Sequence, residues 1–180
     1  MPNLFVSDIH VVTRPGCRRR GLLLPGPAFS GGMIPVALGR SGIRADKREG
    51  DGATPRGHFR PVRLWWRGDR MPRPAARLPV RRITPSDGWC EDPADRRYNQ
   101  PIRLDADAPG DRLWRDDHLY DLVIELDHNT RPRVTNRGSA VFIHCARTGL
   151  APTAGCVAMP AETLRRLIGV LSPKTRIWIQ

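Results

Sequence analysis

The sequence predicts a mainly β domain with one packed helix, a fold of the α+β class. Short runs of β-forming residues alternate with Gly and Pro, which is typical of strands joined by turns. One stretch near the C-terminus instead has apolar residues at helical spacing. A chain of 180 residues is long enough to bury a core, so we expect a single domain over residues 1–180.

The individual elements follow from the spacing of apolar residues. The segments predicted as strands are residues 4–12, 21–24, 33–38, 58–66, 121–127, 140–144 and 174–179. The helix is expected to open with Pro160 in its first turn. Apolar residues follow at i, i+3, i+4 and i+7, namely Leu164, Leu167, Ile168 and Leu171. Residues 47–57 are polar and rich in Gly, which indicates a loop, and residues 71–82 indicate an extended crossing.

Residues 84–117 form a long acidic segment with few β-branched residues and many Asp, Pro and Arg. We expect an irregular excursion with one helical turn. Loops of this length inside a compact domain are usually lids or binding loops. The segment is therefore a predicted capping insertion, and the β core is expected to fold without it.

Charge is distributed unevenly along the chain. The net charge is +12, yet residues 83–130 carry 12 acidic against 5 basic residues, so a basic body encloses an acidic middle. A basic surface attracts polyanions such as nucleic acid, anionic lipid or an acidic wall polymer, but solvated surface Arg gives the same composition. The sequence has no RNA-binding aromatic signature, zinc finger or basic zipper. Charge by itself therefore names no partner.

The sequence contains no apolar run near the 18 residues that indicate a membrane-spanning helix, so no transmembrane segment is predicted. Residues 1–4 also lack the basic start and apolar block of a signal peptide. A role outside the cytoplasm then requires an export signal that was removed, or a route that the sequence does not display.

The cysteines are too few and too scattered for a disulfide framework; they are Cys17, Cys90, Cys145 and Cys156. No CxxC pair is present, which argues against a structural zinc site. His144 and Cys145 are adjacent, and on a strand their side chains point to opposite faces, so they are poor joint ligands.

The segment from His144 to Met159 contains the residue types of a cysteine nucleophile. A thiol needs a base to remove its proton and backbone N–H groups to hold the oxyanion of the attacked carbonyl. His144 ends a buried strand, and Cys156 follows Gly155, which lets backbone approach a substrate closely. Cys156 also lies four residues before the helix start, so we expect a lowered pKa and early alkylation. A buried core thiol fits the same spacing, which leaves both interpretations open.

This block resembles the catalytic signature of the L,D-transpeptidases of the YkuD type. That signature is a His after a buried strand, a loop, Ser/Thr-x-Gly-Cys, a short helix and a closing strand; residues 153–156 read Thr-Ala-Gly-Cys. Residues 50–59 (GDGATPRGHF) are similar to the family's Thr-Pro-x-Gly-x-Phe turn, and the resemblance covers about residues 34–180. It implies a YkuD-like β-sandwich or barrel with a long capping loop. It also implies Cys156 as nucleophile, His144 as base, and the Gly155 and Cys156 amides as oxyanion donors.

Three features depart from the family pattern. Ala154 stands where most members have a second His, Ala158 where most have Arg or Asn, and the loop before Cys156 is shorter than usual. These features resemble a divergent, short, single-domain proteobacterial branch. Some members of that branch are associated with joining stem peptides through the first-position L-alanine. Arg147 is a candidate for the missing cationic contact to a substrate carboxylate, or else a solvated surface residue.

The resemblance makes the acidic segment a cap over the substrate groove. Candidate substrate contacts are then Trp89, Tyr98, Asn99, Trp114 and His118, together with Arg147 and Thr153 from the catalytic block. Packing is the competing explanation for each of them. A Tyr-Asn pair in a loop of Asp and Pro is also ordinary turn chemistry.

The resemblance implies peptidoglycan stem peptides as substrate, no metal or other cofactor, and no obligatory nucleic acid. The expected location is the periplasm or cell envelope, with the cytoplasm as alternative. The thiolate would attack an L-centre carbonyl to give a thioester, which an amine from a second stem resolves. Water in place of the amine would make an L,D-carboxypeptidase or amidase. A non-catalytic basic module binding nucleic acid or wall polymer is a rival from another class, and the oligomeric state is not predicted.

Overall fold

The computed structural model describes residues 5–27, 29–30, 32–105 and 110–180. In chain order its strands are β1 (Asp8–Arg14), β2 (Cys17–Leu24), β3 (Ile34–Ala37), β4 (Ile43–Arg44), β5 (Thr54–Pro55), β6 (Gly57–Phe59), β7 (Pro61–Trp66), β8 (Val80–Arg82), β9 (Asp87–Trp89), β10 (Pro101–Arg103), β11 (Asp111–Arg112), β12 (Leu122–Leu126), β13 (Phe142–Cys145), β14 (Val157–Met159) and β15 (Arg176–Ile179). The helix α1 spans Ala161–Val170, and a 3₁₀ turn spans Thr148–Leu150. The predicted fold class, mainly β with one packed helix, is confirmed.

A curled, mixed sheet of ten strands forms the body of the fold, in the order β6-β15-β1-β2-β3-β14-β13-β12-β7-β8. Most neighbours are antiparallel, but β1 and β15, β13 and β14, and β7 and β8 are parallel. Parallel neighbours cannot be joined by a tight hairpin. The chain between β13 and β14 therefore leaves the sheet and returns to it, and this connection carries the candidate nucleophile.

The main core lies between the sheet and α1, which contacts β12 and β13. The four apolar residues predicted for the helix are fully buried; they are Leu164, Leu167, Ile168 and Leu171. Each buried aliphatic side chain contributes about 1.5–3 kcal/mol. A helix of ten residues is too short to be stable alone, so this packing is what stabilises α1.

A second apolar cluster lies on the opposite face of β13, where Phe142 points away from the helix. Its buried members come from β7, β9, β12, β13 and the loops around them: Trp65, Ile83, Trp89, Leu113, Tyr120, Val123, Ala140, Phe142 and Cys156. Ile143 and Cys145 belong to the helix-side core instead. The alternation along β13 therefore places Cys145 on the face opposite His144, as the sequence predicts.

The acidic segment differs from its prediction. Among its described residues there is no helical turn, and β9 instead forms a small sheet with β10 and β11 on its two sides. Asp92 and Asp95 accept hydrogen bonds from the amides of Ala94 and Arg97 at 2.9 and 2.7 Å, so these Asp residues stabilise turns. The Asp-rich composition reflects turn formation between short strands.

Several strands also begin or end at residues other than those predicted. The strand predicted over residues 4–12 is β1, which begins at Asp8; residue 4 lies outside the described residues. β2 begins at Cys17, four residues before the strand predicted over residues 21–24. Its first half is exposed and rich in Arg, so it lacks the apolar signal on which the prediction rested. The strand predicted over residues 58–66 is interrupted at Arg60, whose amide donates to the Asp127 carboxylate at 2.7 Å.

Candidate active site

His144 and Cys156 approach one pocket from neighbouring parallel strands. His144 pairs in register with Ala158 of β14, and Cys156 immediately precedes that strand. Residues two apart on a strand share a face, so Cys156 points to the same side as Ala158 and His144. All three line a pocket of about 430 Å³. The chain thus brings the predicted nucleophile and base to one site.

The His144 ring is buried, and the main chain fixes its tautomer. Nδ1 lies 2.8 Å from the carbonyl oxygen of Cys145. Because a carbonyl only accepts, Nδ1 carries the proton and Nε2 is left as a proton acceptor. The ring of Tyr120 packs edge-on at 5.3 Å between centroids. Burial lowers the pKa of His144 to about 4, so the imidazole is neutral at physiological pH and available as a base.

The Cys156 thiol is 8% exposed and is hydrogen-bonded to the main chain. Its Sγ donates to the carbonyl oxygen of Ala140 at 3.2 Å. Burial, with smaller contributions from the Asp111 and Glu91 carboxylates, raises the pKa of Cys156 to about 12. The thiol is therefore protonated at neutral pH in the free protein.

The expectation of a lowered Cys156 pKa, which rested on the nearby helix start, is wrong. β14 stands between Cys156 and α1, and five residues at about 3.3 Å each put the start of the helix roughly 16 Å along the chain from Cys156. The field of a helix terminus falls off within one turn. His144 is neutral as well, and so offers no positive charge in the free protein.

Thr153 shapes the turn that presents Cys156. Its Oγ1 donates to the Cys156 carbonyl at 2.7 Å and accepts from the Gly155 amide at 3.1 Å. That amide, one of the two predicted oxyanion donors, is therefore engaged by Thr153 in the free protein. Gly155 has a φ of 154°, and a Cβ there would lie 2.9 Å from the carbonyl oxygen of Ala53. Only glycine fits this close approach.

The Thr-Pro motif packs beneath the same turn. Thr54 is fully buried, and its Oγ1 accepts from the Gly39 amide at 2.8 Å and lies 3.5 Å from the Cys156 carbonyl. Thr54 and Cys156 are 102 residues apart in sequence. The two motifs that carry the resemblance therefore form one structural unit around the candidate nucleophile.

The family model of the YkuD L,D-transpeptidase catalytic domain matches residues 27–179. The chain belongs to the YkuD family. No curated protein matches it. Two solved structures are similar: Bd1075 of Bdellovibrio bacteriovorus and L,D-transpeptidase 3 of Mycobacterium tuberculosis.

Sequence identity to these two structures is low, at 13% for Bd1075 and 14% for L,D-transpeptidase 3. The alignment covers 97% of this chain and 48% of Bd1075, with a TM-score of 0.47. For L,D-transpeptidase 3 it covers 96% of this chain and 60% of that one, with a TM-score of 0.41. The chain thus spans between about half and three fifths of the length of these structures.

Of the predicted substrate contacts in this YkuD domain, Arg147 and Thr153 line the pocket. The Arg147 side chain is 58% exposed, and its Nη2 lies 3.9 Å from the Asp117 carboxylate. Ala154 and Ala158, where most family members have charged or polar residues, also line the pocket. The cations on the pocket wall therefore come from other positions.

The remaining predicted contacts do not line the pocket; they are Trp89, Tyr98, Asn99, Trp114 and His118. His118 is 71% exposed and pairs with Asp121 at 2.8 Å. Tyr98 is buried, and its hydroxyl donates to Glu49. The guanidinium of Arg67 covers the Trp114 ring at 3.6 Å. Tyr98 thus contacts the pocket wall from behind, through Glu49, whereas His118 lies at the surface.

Asn99 connects the acidic segment to the carbonyl that holds the thiol. Its Oδ1 accepts from the Trp89 indole at 3.0 Å and from the Ala140 amide at 3.1 Å. Its Nδ2 donates to two further main-chain carbonyls at 2.9 and 3.0 Å. Ala140 has a φ of 50°, which is uncommon for a residue with a side chain. Asn99 therefore helps to hold Ala140 where its carbonyl meets Cys156.

Sequence reasoning missed most charged residues of the pocket wall. These are the basic residues Arg40, Lys47 and Arg115 and the acidic residues Glu49, Glu91 and Asp111, with Tyr120 beside them. The Tyr120 hydroxyl donates to Asp111 at 2.8 Å. The acidic composition of residues 84–117 was the available signal, because Glu91, Asp111 and Arg115 all come from that segment.

Within the described ranges, no three His, Cys, Asp or Glu side chains are grouped to hold a metal ion. The helix in this part of the chain is also not long and apolar enough to cross a membrane.

Proposed function

We propose that this YkuD domain is a cysteine-dependent L,D-transpeptidase that acts on peptidoglycan stem peptides in the periplasm or cell envelope. The observation that carries the proposal is the common pocket of Cys156 and His144, with Nε2 of His144 free to accept a proton. A thiol and a base that share a pocket are the requirement for nucleophilic acyl transfer.

The reaction begins with proton transfer from Sγ of Cys156 to Nε2 of His144. The thiolate then attacks the carbonyl carbon of an L-centre residue in the donor stem, which is the stem peptide that supplies the acyl group. The C–N bond to the next residue breaks, and the imidazolium returns the proton to the departing amine. The product is a thioester on Cys156, with His144 neutral again.

The second half of the reaction transfers the acyl group to an amine of another stem. The amine nitrogen bonds to the thioester carbonyl carbon while His144 takes a proton from it. The C–S bond then breaks, and the imidazolium returns that proton to the sulfur, which restores the Cys156 thiol. Transfer to an amine forms an L,D cross-link, including the 1-3 type through L-alanine. Transfer to water gives the L,D-carboxypeptidase or amidase reaction at the same site.

The oxyanion of each tetrahedral intermediate needs backbone donors. The amides of Gly155 and Cys156 belong to the turn that presents the thiol. The Gly155 amide has to exchange its Thr153 partner for the substrate oxygen, because it donates to that hydroxyl at 3.1 Å in the free protein. In the free protein the Thr153 hydroxyl therefore accepts the hydrogen bond that the oxyanion would accept in the intermediate.

The pocket wall carries charges of both signs, which supports a substrate that is itself zwitterionic. Arg40, Arg115 and Arg147 offer guanidinium groups to substrate carboxylates. Glu49, Glu91 and Asp111 face the same space and suit an ammonium group. Stem peptides present both kinds of group, whereas nucleic acid offers only anions to such a wall.

Incubation of the purified protein with disaccharide stem peptides, followed by mass spectrometry, tests the proposal. We expect cross-linked dimers with the wild type and with Cys17→Ser, and none with Cys156→Ser. Cys17 is the matched control because it lies half-exposed on β2, outside the pocket. Shortened monomers without dimers would identify the hydrolase. Products that persist with Cys156→Ser would overturn the cysteine mechanism.

A further inference from the structure

Lys47 is a buried cation close to the candidate nucleophile, and the proposed reaction gives it no role. Its side chain is only 8% exposed, and it lines the pocket that contains Cys156. Its Cε lies 3.8 Å from the position that a Cβ would occupy on Gly155. Lysine is almost never fully buried without a partner. Its placement against the turn that presents Cys156 therefore calls for a physical reason.

The loop of residues 47–57 holds the ammonium group in place. Nζ donates to the Arg48 carbonyl at 2.6 Å and to the Asp51 carboxylate at 2.5 Å. Asp51 is itself fixed, because it accepts from the amides of Arg48 and Ala53 at 2.9 and 2.8 Å. An ammonium has three donors. Among the described residues these two acceptors are its partners, which leaves one donor over.

The identity of the residue is informative, since 28 of the 30 basic residues in this chain are Arg. The lysines are Lys47 and Lys174. An ammonium is a compact point charge on a flexible stem, whereas a guanidinium is a broad planar fork. A point charge suits a small anion such as a thiolate in a confined space.

We propose that Lys47 supplies the positive charge that stabilises the anion formed at Cys156 when its proton moves to Nε2 of His144. The S–H proton passes to the imidazole, and Lys47 keeps its own proton throughout. The inference rests on the proposed role of Cys156 as nucleophile. Lys47 is then a positioning residue, which acts on the sulfur through its charge.

Other charges around the pocket act on the same sulfur. The carboxylates of Glu91 and Asp111 raise the pKa of Cys156, and Lys47 lowers it. Glu49 lies on the same wall and is bound by the Tyr98 hydroxyl.

The guanidinium groups on the wall have partners of their own. Arg115 pairs with Asp117 at 2.6 Å, and Arg40 donates to the Gly50 carbonyl at 3.1 Å. Arg147 lies 3.9 Å from Asp117 and is largely exposed to solvent. Lys47 is more deeply buried than these groups, so solvent screens its charge less.

Two substitutions within one ion pair give opposite expectations. Lys47→Met removes the positive charge and keeps the length of the side chain. Asp51→Asn removes the negative charge that offsets it. We expect the rate of Cys156 alkylation by iodoacetamide, measured between pH 7 and 10, to fall about tenfold in Lys47→Met and to rise severalfold in Asp51→Asn. Peptide mapping isolates the rate of Cys156 from that of the other cysteines.

Lys174→Met is the matched control, because it removes the other lysine at an exposed turn. Its alkylation rate should equal that of the wild type. Equal rates in Lys47→Met and wild type, or shifts in the same direction for Lys47→Met and Asp51→Asn, would overturn the proposal. A purely structural role of the pair would move both rates the same way. The assay uses no substrate, so a failure of the transpeptidase proposal would appear separately, as an absence of cross-linked dimers with the wild type or as cross-linking by Cys156→Ser.

Discussion

The thiol of Cys156 donates a hydrogen bond to the carbonyl oxygen of Ala140, at 3.2 Å. This contact stabilises the protonated thiol, since a carbonyl oxygen cannot donate to a thiolate. Ala140 is in turn held by Asn99, which belongs to the acidic segment. The resting state of the proposed nucleophile therefore depends on a residue outside the segment from His144 to Met159.

The first prediction concerns the order in which the cysteines react. The pKa of Cys156 is raised to about 12, so its thiolate fraction at pH 6.5 is negligible and increases tenfold with each pH unit. We expect iodoacetamide at pH 6.5 to label the half-exposed Cys17 before Cys156. Peptide mapping measures the order, and in urea the preference should vanish. Preferential labelling of Cys156 would contradict this prediction and would indicate the lowered pKa that the sequence predicts.

The second prediction concerns acid stability. The pKa of His144 is about 4 in the folded state against 6.5 unfolded, so between these values the unfolded state binds more protons. Its contribution to stability is complete above pH 6.5 and is lost as the pH falls towards 4. We expect wild type to lose about 3 kcal/mol more than His144→Gln between pH 7 and 4 in urea denaturation. Equal losses would show that His144 is not buried as a neutral group.

The third prediction separates hydrogen bonding from backbone strain. Asn99 and Asn136 both have positive φ, at 54° and 64°, so replacement by Ala costs similar strain at both. Asn99 also satisfies the Trp89 indole and the Ala140 amide, whereas Asn136 is exposed. We expect Asn99→Ala to lower the free energy of unfolding by roughly 1–3 kcal/mol more than Asn136→Ala. Equal losses of unfolding free energy in the two variants would show that the hydrogen bonds of Asn99 do not hold Ala140 in place.

The fourth prediction tests whether the acidic segment is part of the core. Trp89 is 3% exposed and packs edge-on against Phe142 at 5.0 Å between centroids. We expect Trp89→Ala to cost about 3–5 kcal/mol of unfolding free energy. Trp114→Ala, at a partly buried ring covered by Arg67, should cost about 1 kcal/mol. If Trp89→Ala costs as little unfolding free energy as Trp114→Ala, the acidic segment is the separable cap that its composition predicts.

Much of the fold could be predicted because burial leaves a periodic signal. The helix was recognised from Leu164, Leu167, Ile168 and Leu171, and all of them are buried. The strands β12 and β13 were recognised for the same reason. The start of β2 was missed because exposed Arg residues carry no such signal, and β9 was missed because three residues between turns show no periodicity.

The pocket was only partly predictable. His144 and Cys156 could be assigned from the resemblance to the family motif, whereas their spacing by itself also fits a buried core thiol. Trp89, Tyr98 and Asn99 were expected to contact substrate but do not line the pocket. Composition does not reveal whether a residue faces a pocket or packs behind its wall. Lys47 and Glu49 were missed for a related reason, since they reach the pocket from a loop far from Cys156 in sequence.

The sequence by itself determined the class of fold, the family and the pair of residues that carry the proposed chemistry. These depend on periodicity and on motifs, which are local properties of the chain. The tertiary structure decided the protonation of the pair, the function of Asn99 and the charges of the pocket wall. A pKa depends on burial and on charges within a few ångströms, and folding brings those neighbours from the loop after β9, from β11 and from the Lys47 loop.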